Sequence, residues 1–405
     1  MKVQVPEGRG TAFGAGPRGQ FTPATKPRAV MVEHRMRWDR QERRDGMGRT
    51  MTGKERVLTA LARREPDRVP IFYYGNPGID ARLKEHFRLK ADDSEGLRRA
   101  LGVDFRIIGA PYIGPRLHVE IPGREVDPLW GWITRYIEHD AGSYWDYCDF
   151  PLREADVETV ARWPMPSPDD FDYSGIAEAC REMKEYAVHI GSGGLGCIMN
   201  LAGFLRGMEQ MFVDLALDEP AGLLLIDRML ATDLEITRRK LEAAKGGVDF
   251  LWMGEDLGTQ HGPLIGMETF RKHIKPRHKP FLDLAREYNL QVMMHTCGSS
   301  SWAYDDYIEI GLTAVDTLQP EAKDMSPEYL KKRFGDRLAF CGCISTAGPV
   351  AFGTVEETIS YCRRTLEIMM PGGGYIFAPT HCLQDNTPTE NAVAMYETAH
   401  KYGVY

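Results

Sequence analysis

The sequence predicts an α/β protein in which eight parallel strands close into a (β/α)8 TIM barrel. From residue 51 onward, short runs rich in β-forming residues alternate with longer amphipathic segments. Several of the short runs are continuously apolar, as expected for parallel strands that are covered on both faces. The runs number eight and helical sequence fills most of the gaps between them, which is the pattern of a closed parallel barrel.

The predicted elements follow one another in a regular order. A first helix over Thr52–Arg64 places Val57, Leu58 and Leu61 on one face, and Pro66 ends it. The predicted strands are Val69–Tyr74, Val103–Ile108, Tyr186–Ser192, Asp249–Gly254, Gln291–His295, Ala314–Gln319, Leu338–Cys343 and Tyr375–Thr380. The later predicted helices are Pro220–Lys245, Met267–Tyr288, Pro327–Phe334, Val355–Met370 and Thr389–Tyr402.

One region interrupts this alternation after the second strand. Leu117–Glu120 and Trp132–Glu138 flank a Pro-Gly turn, and together they predict an inserted antiparallel β-hairpin. The aromatic residues of this region are Trp130, Trp132, Tyr136, Tyr144, Trp145 and Tyr147. They either form a wall or lid of a pocket at the barrel mouth or pack as an inert patch.

Charge divides the chain into two parts. Residues 1–50 carry 11 lysines and arginines against 5 acidic residues, which gives a net charge of +6. Because the net charge of the whole chain is −8, the rest of the chain carries −14. We predict a disordered basic leader over residues 1–46, rather than a nucleic-acid-binding arm, because this part is rich in Gly and Pro and lacks hydrophobic periodicity. One barrel domain follows over residues 47–405. Its acidic character argues against nucleic acid as the main partner.

Hydropathy and cysteine usage indicate the compartment. No apolar run approaches the ~18 residues that cross a bilayer, and the N-terminus lacks the apolar core of a secretory signal. We therefore expect a cytoplasmic protein that does not associate with membranes. Its 8 cysteines are scattered, which argues against a disulfide framework and predicts that most are buried.

Three residues after predicted strands form a candidate metal site. The reactive groups of a (β/α)8 barrel come from the C-terminal ends of its strands. His295 and Cys297 are two residues apart on extended backbone and so share one face, and Cys382 follows the eighth strand, which opens onto the same mouth. A histidine and two cysteines suit zinc and leave a fourth position open to substrate. The alternative is a set of buried residues without a metal.

Other strand ends supply further candidates. Glu255 and Asp256 follow the fourth strand, and we expect at least one of them to act in catalysis as a zinc ligand or proton carrier; the alternative is that Asp256 only caps a turn. The Cys341-Gly342-Cys343 segment has three interpretations: it supplies a metal ligand, it is a redox dithiol or, as we favour, its small residues serve packing. The candidate substrate-binding residues are Tyr74, Trp252, Gln260 and Gln319.

Four segments together resemble the uroporphyrinogen decarboxylase superfamily. They are Thr52–Val57, Gly254–Gly262, His295–Gly298 and Thr387–Asn391. The likeness covers roughly residues 51–403, and it implies a (β/α)8 barrel. The superfamily has two main branches, the true decarboxylases and the corrinoid-protein methyltransferases, which include the methylcobamide:coenzyme M enzymes.

Two features indicate the methyltransferase branch. The decarboxylases have an arginine-rich segment after the first strand that binds the tetrapyrrole propionates, whereas Phe72–Gly78 contains no arginine and the next is Arg82. The methyltransferases have a His-x-Cys zinc motif with a distant cysteine, which corresponds here to His295, Cys297 and Cys382.

The resemblance therefore implies a zinc-dependent methyltransferase. Such an enzyme moves a methyl group between a small methylated substrate or thiol and a corrinoid (cobalamin), here expected on a partner corrinoid protein. The first alternative is a metal-independent decarboxylase of the uroporphyrinogen type with Asp256 or another acid as the catalytic group. The second is a corrinoid- or tetrapyrrole-binding protein without turnover.

Overall fold

Seven parallel strands form one curved sheet in the computed structural model, which describes residues 50–139 and 142–405. The predicted leader over residues 1–46 lies outside the described residues. The strands of the chain are β1 Phe105–Ile107, β2 Glu125–Val126, β3 Ile133–His139, β4 Gly142–Cys148, β5 Ala187–Gly191, β6 Phe250–Gly254, β7 Gln291–Thr296, β8 Ala314–Thr317, β9 Ala339–Ile344 and β10 Tyr375–Pro379. The order in the large sheet is β1-β5-β6-β7-β8-β9-β10.

An extended segment over residues 69–75 closes this sheet between β10 and β1. Ile71 forms a parallel bridge with Phe377 of β10. On the other side, the backbone N–H of Asp104 donates to the Ile71 carbonyl at 3.0 Å. Pro70 has no N–H to donate, which limits the ladder here to isolated bridges. All eight predicted strand segments are therefore present, and the predicted (β/α)8 barrel is confirmed.

Helices surround the sheet. They are α1 Gly53–Leu61, α2 Pro77–His86, α3 Ser94–Leu101, α4 Val157–Arg162, α5 Ile176–Glu182, α6 Met199–Arg206, α7 Met208–Leu217, α8 Pro220–Ala244, α9 Lys275–Glu287, α10 Tyr304–Glu309, α11 Pro327–Phe334, α12 Pro349–Phe352, α13 Val355–Met369 and α14 Thr389–Tyr402. The turn Met267–Thr269 and the π-helical turn Phe270–Ile274 lead into α9. In the described residues, no helix is long and apolar enough to span a membrane.

The opening motif of the chain joins α1 to the bottom of the barrel. Thr52 and Glu55 form a reciprocal capping box at the start of α1. Arg56 places Nε 2.6 Å from Asp67 and Nη1 2.6 Å from Asp104. The helix ends earlier than predicted, at Leu61, because Arg63 adopts a left-handed backbone with φ 56°. This motif therefore acts in folding, at the opposite end of the barrel from the strand termini that carry reactive groups.

The insertion after β1 is a three-stranded antiparallel sheet in the order β2-β3-β4. An inserted hairpin is present as predicted and Ile133–His139 is one of its arms, but the other arm is Gly142–Cys148, and the predicted strand Leu117–Glu120 is wrong. The partner of β3 on its other edge is Glu125–Val126, after the Pro-Gly turn. Burial explains the difference: Val126 is 4% exposed and packs with Ile133, whereas Val119 is 81% exposed and has no core to join.

Candidate metal centre

The end of β7 brings His295 and Cys297 to the C-terminal mouth of the barrel. The Sγ atom of Cys297 lies 3.5 Å from Nε2 of His295, as expected for residues that share a face of extended backbone. Gly298 follows with φ +67°, and a Cβ there would lie 2.3 Å from the carbonyl oxygen of Gly258. Only glycine therefore allows the chain to turn away directly after the pair.

Two side chains at the end of β8 contact the other nitrogen of His295. The Nδ1 atom lies 2.8 Å from Oδ1 of Asp316 and 3.0 Å from Oγ1 of Thr317. Burial lowers the pKa of His295, but the charge and hydrogen bond of Asp316, together with the contact to Cys297, outweigh burial and raise the pKa well above its ordinary value. Because Nδ1 is engaged, Nε2 is the nitrogen directed at Cys297. Our sequence analysis missed Asp316 and Thr317, although both lie in the sixth predicted strand.

The segment after β10 adds a histidine and a cysteine. In the described part of the chain, donor atoms of His295, Cys297 and His381 all lie within 4.8 Å of one another. Cys382, the predicted third ligand, lies beside this group and is 7% exposed, with its Sγ 3.1 Å from Nδ1 of His381. Sequence analysis missed His381, although it directly precedes Cys382 at the same strand end.

Burial and neighbouring charges shift the pKa of each of these donors. Burial raises the pKa of the Cys297 thiol, and the neighbouring His295 only partly opposes this. Burial also raises the pKa of Cys382, against a hydrogen bond of 3.2 Å from Nε2 of Gln384. Desolvation and the charge of His295 lower the pKa of His381. A bound divalent cation would favour the thiolates and neutral imidazoles that metal ligation requires.

The donor set fits zinc by chemistry and by spacing. Imidazole nitrogen and thiolate sulfur are the ligands that zinc prefers. At ordinary zinc bond lengths, a nitrogen and a sulfur on a tetrahedral ion are about 3.6 Å apart. The 3.5 Å between Nε2 of His295 and Sγ of Cys297 agrees with that separation.

The two adjacent carboxylates have different surroundings. Asp256 accepts from the backbone N–H of Cys297 at 3.0 Å and from Nδ2 of Asn200 at 2.8 Å. Burial acts to raise the pKa of Asp256, but the Asn200 hydrogen bond and the charge of His295 lower it overall. Asp256 is therefore an ionised group beside the centre.

Glu255 lies at the N-terminus of α6 instead. Its side chain is 0% exposed and accepts from the backbone N–H groups of Ile198 at 2.7 Å and Met199 at 3.1 Å. Nε2 of His278 lies 3.4 Å from the same carboxylate. These contacts satisfy two N–H groups that a helix start leaves without partners.

The candidate substrate-binding residues lie at different distances from the centre. Tyr74 is 52% exposed, and its ring lies 6.1 Å from that of His381. Gln319 accepts from the backbone N–H of Gly298 at 2.8 Å, so it holds the loop that follows Cys297. Trp252 is buried in the barrel interior, and Gln260 is exposed on the loop after β6. The structure thus brings Tyr74 and Gln319 to the centre.

Four aromatic residues of the insertion, among those whose side chains the structure describes, divide into two pairs, whereas the side chain of Tyr144 lies outside the described part. Tyr147 stacks on Phe204 of α6 with ring centroids 3.5 Å apart, and Trp132 meets the same ring edge-on at 6.0 Å. These two residues anchor the small sheet to the barrel. Tyr136 and Trp145 pair with each other at 5.2 Å and are about half exposed.

The fold and the donor group define a (β/α)8 barrel protein with a candidate metal centre at the C-terminal mouth of its strands. The family model for uroporphyrinogen decarboxylase (URO-D) matches residues 148–402. The chain therefore belongs to the uroporphyrinogen decarboxylase family, and the predicted membership is confirmed.

Comparison with solved structures supports the fold. The chain is similar to a methyltransferase from Methanosarcina mazei, with 18% identity and a TM-score of 0.55 over 86% of this chain and 98% of that one. A second structure, the IOLI protein with a binding zinc atom, aligns with 14% identity and a TM-score of 0.29 over 62% of this chain and 93% of that one, too weakly to bear on the site. A search of curated proteins finds no match.

Proposed function

We propose that this protein is a zinc-dependent methyltransferase that moves a methyl group between a small methylated substrate or thiol and a corrinoid on a partner protein. The observation that carries the proposal is the donor group of His295, Cys297 and His381 within 4.8 Å at the barrel mouth. Cys382 adds a second thiol next to it. Mixed imidazole and thiol donors beside a solvent-accessible face are typical of catalytic zinc sites.

In this proposal His295, Cys297 and Cys382 hold the zinc. His381 is the exposed member of the donor group, and in this proposal it contacts either the metal or the incoming substrate. Zinc, when bound, supplies a Lewis acid that favours the deprotonated form of a thiol or polarises the heteroatom of a methyl donor. Tyr74 offers an aromatic wall beside His381 for a small substrate.

Asp256 is the proposed proton acceptor. It is ionised and hydrogen-bonded to the backbone of Cys297, so it lies next to the reacting groups. With a thiol substrate, the S–H proton passes towards Asp256 or solvent and the S–CH3 bond forms. The bond between the methyl group and its donor breaks, and its electron pair leaves with the donor. In the opposite direction the electron pair of the heteroatom–CH3 bond would stay on the heteroatom, which would take up a proton from solvent, and a corrinoid supplied in its reduced cob(I)alamin form would provide the electron pair for its bond to the methyl group.

The decarboxylase alternative would require cations in the segment after the first predicted strand. Phe72–Gly78 contains no arginine. The guanidinium of Arg82 donates to the carbonyl oxygens of Asp385 and Thr387, both at 2.9 Å, and to Oγ1 of Thr389 at 3.2 Å. It therefore ties α2 to the segment before α14. A tetrapyrrole with many carboxylates would require charged partners that this segment does not provide. The structural likeness to a methyltransferase also supports the proposal.

Metal analysis of the purified protein, combined with a screen of methyl donors and thiols against cobalamin, tests the proposal. We expect one zinc per chain and a donor- or acceptor-dependent change in the methylation state of cobalamin. Zinc-free protein that releases CO2 from uroporphyrinogen would establish the decarboxylase instead. Corrinoid binding without methyl transfer from any donor would indicate a binding protein.

A further inference from the structure

Two neighbouring strand ends beside the metal centre leave the extended conformation at the same level. Thr317, the last residue of β8, has φ 78° and the following Leu318 has φ 54°; on β9, Gly342 has φ 129° and Cys343 has φ 64°. Positive φ is rare for residues with a side chain and is a genuine outlier for a β-branched residue such as threonine. Thr317 pairs with Gly342 in the parallel register, so the two distortions face each other.

Gly342 leaves no room between the two strands. A Cβ at this position would lie 2.3 Å from the carbonyl oxygen of Thr317. The Gly342 peptide is also held from the other side, because the buried Tyr375 hydroxyl donates to the Gly342 carbonyl at 2.8 Å. A side chain at position 342 would therefore displace Thr317 rather than Gly342 itself.

The turned backbone of Thr317 serves His295. Oγ1 of Thr317 lies 3.0 Å from Nδ1 of His295 and 3.2 Å from Oδ1 of Asp316, to which it donates. Oδ1 of Asp316 in turn lies 2.8 Å from the same Nδ1. Asp316 and Thr317 are adjacent in sequence and would point to opposite faces of an ordinary strand. Positive φ at Thr317 lets both side chains reach one atom.

We propose that Asp316, Thr317 and Gly342 form a positioning unit for His295. Gly342 sets the backbone of Thr317, the paired side chains of β8 hold Nδ1–H, and Nε2 is thereby aimed at the metal. The proposal rests on the proposed zinc site. In the Cys341-Gly342-Cys343 segment, Gly342 is therefore the residue that acts on the metal site.

Metal affinity tests the unit through variants that do not touch the zinc. We expect Asp316→Asn and Gly342→Ala to weaken zinc binding roughly 10- to 100-fold in a chelator competition. Thr317→Val should weaken zinc binding less, and Thr317→Ser, which keeps the hydroxyl group, should bind zinc as tightly as the wild-type protein. The matched control is Gly311→Ala, since Gly311 has φ +109° but no atom within 4 Å of the added Cβ. It should change zinc affinity less than twofold.

Cobalt substitution reports the geometry itself. The visible absorption of the cobalt-loaded protein should shift in Asp316→Asn and Gly342→Ala and stay unchanged in Gly311→Ala. A purely structural role would lower the melting temperature of both glycine variants without changing the cobalt spectrum of either. That result, or wild-type zinc affinity in Asp316→Asn, would overturn the proposal.

A proton NMR measurement on metal-free protein separates this inference from the proposed function. The Nδ1–H proton of His295, assigned by its loss in His295→Gln, should give a downfield signal that moves upfield in Asp316→Asn and Thr317→Val. If the wild-type protein binds no zinc but shows this signal, the zinc function fails and the positioning unit stands. If the signal is absent or unaffected by both variants, the positioning unit fails.

Discussion

The backbone N–H of Cys297 donates a 3.0 Å hydrogen bond to Oδ1 of Asp256, so one contact joins a candidate zinc ligand to the candidate proton acceptor. The second oxygen of Asp256 accepts from Asn200. Both oxygens are therefore oriented, and the carboxylate keeps a constant position relative to His295 and Cys297. This relationship separates Asp256 from its neighbour Glu255, which is directed at a helix end.

Replacement of Asp256 by Asn tests its chemical role. The amide keeps an oxygen for the Cys297 N–H but removes the charge and the basicity. We expect methyl transfer to fall by about 100-fold or more, as is typical for loss of a general base. Zinc content and melting temperature should stay near those of the wild-type protein. Full activity of Asp256→Asn would reduce this residue to a structural acceptor.

The ligand assignment is tested by four single variants. Cys297→Ala and Cys382→Ala should each remove zinc and methyl transfer but leave the circular dichroism spectrum unchanged, because the apolar barrel core does not include the metal. Cys341→Ala is the control and should retain zinc. If Cys382→Ala keeps its zinc while His381→Ala loses it, then His381 is the third ligand and the assignment of Cys382 is wrong.

Glu255 should contribute to stability. Its buried carboxylate accepts from two backbone N–H groups, and Gln can accept only with one neutral oxygen. We expect Glu255→Gln to lower the free energy of unfolding by about 1–3 kcal/mol, the usual cost of a weakened buried hydrogen-bond network. The exposed Glu182→Gln is the control. Equal denaturant midpoints for the two variants would contradict this role.

Uroporphyrinogen should not be a substrate. Arg82 is committed to the segment before α14, and Phe72–Gly78 has no arginine for the propionates. We expect no coproporphyrinogen by chromatography after incubation under anaerobic conditions, with an authentic decarboxylase as positive control. Product formation at an ordinary enzymatic rate would exclude the methyltransferase proposal.

Because His189 is buried, we expect the free energy of unfolding to decrease in acid. Burial lowers its pKa to about 3 in the folded protein, whereas an unfolded histidine titrates near ~6.5. Between these values the unfolded chain binds the extra proton, so stability falls as pH falls, by about 1.4 kcal/mol per pH unit for this residue. Denaturant unfolding at pH 7, 6 and 5 should show a shallower decline in His189→Gln than in the wild type or the exposed-site control His261→Gln. Parallel declines in all three would contradict the buried neutral histidine.

The barrel strands and the last helices were predicted accurately from local pattern. Buried parallel strands leave continuous apolar runs, so all eight strand segments were found, and α11 and α14 have their predicted bounds. The site residues that the sequence did not indicate were missed for a different reason. Asp316, Thr317 and His381 carry no local pattern, and the insertion was paired wrongly because the pattern did not show which of Val119 and Val126 has a core to join.

By itself, the sequence determined the barrel, the mouth that carries the reactive groups and the approach of His295 to Cys297. These features follow from periodicities of two and about 3.6 residues, which any short stretch of chain displays. Only the tertiary structure decided that His381 joins this pair, that Glu255 turns to a helix and that Asp316 occupies Nδ1 of His295. Those relationships depend on the register between strands that are separated along the chain, because a shift of one residue exchanges the face on which every side chain lies.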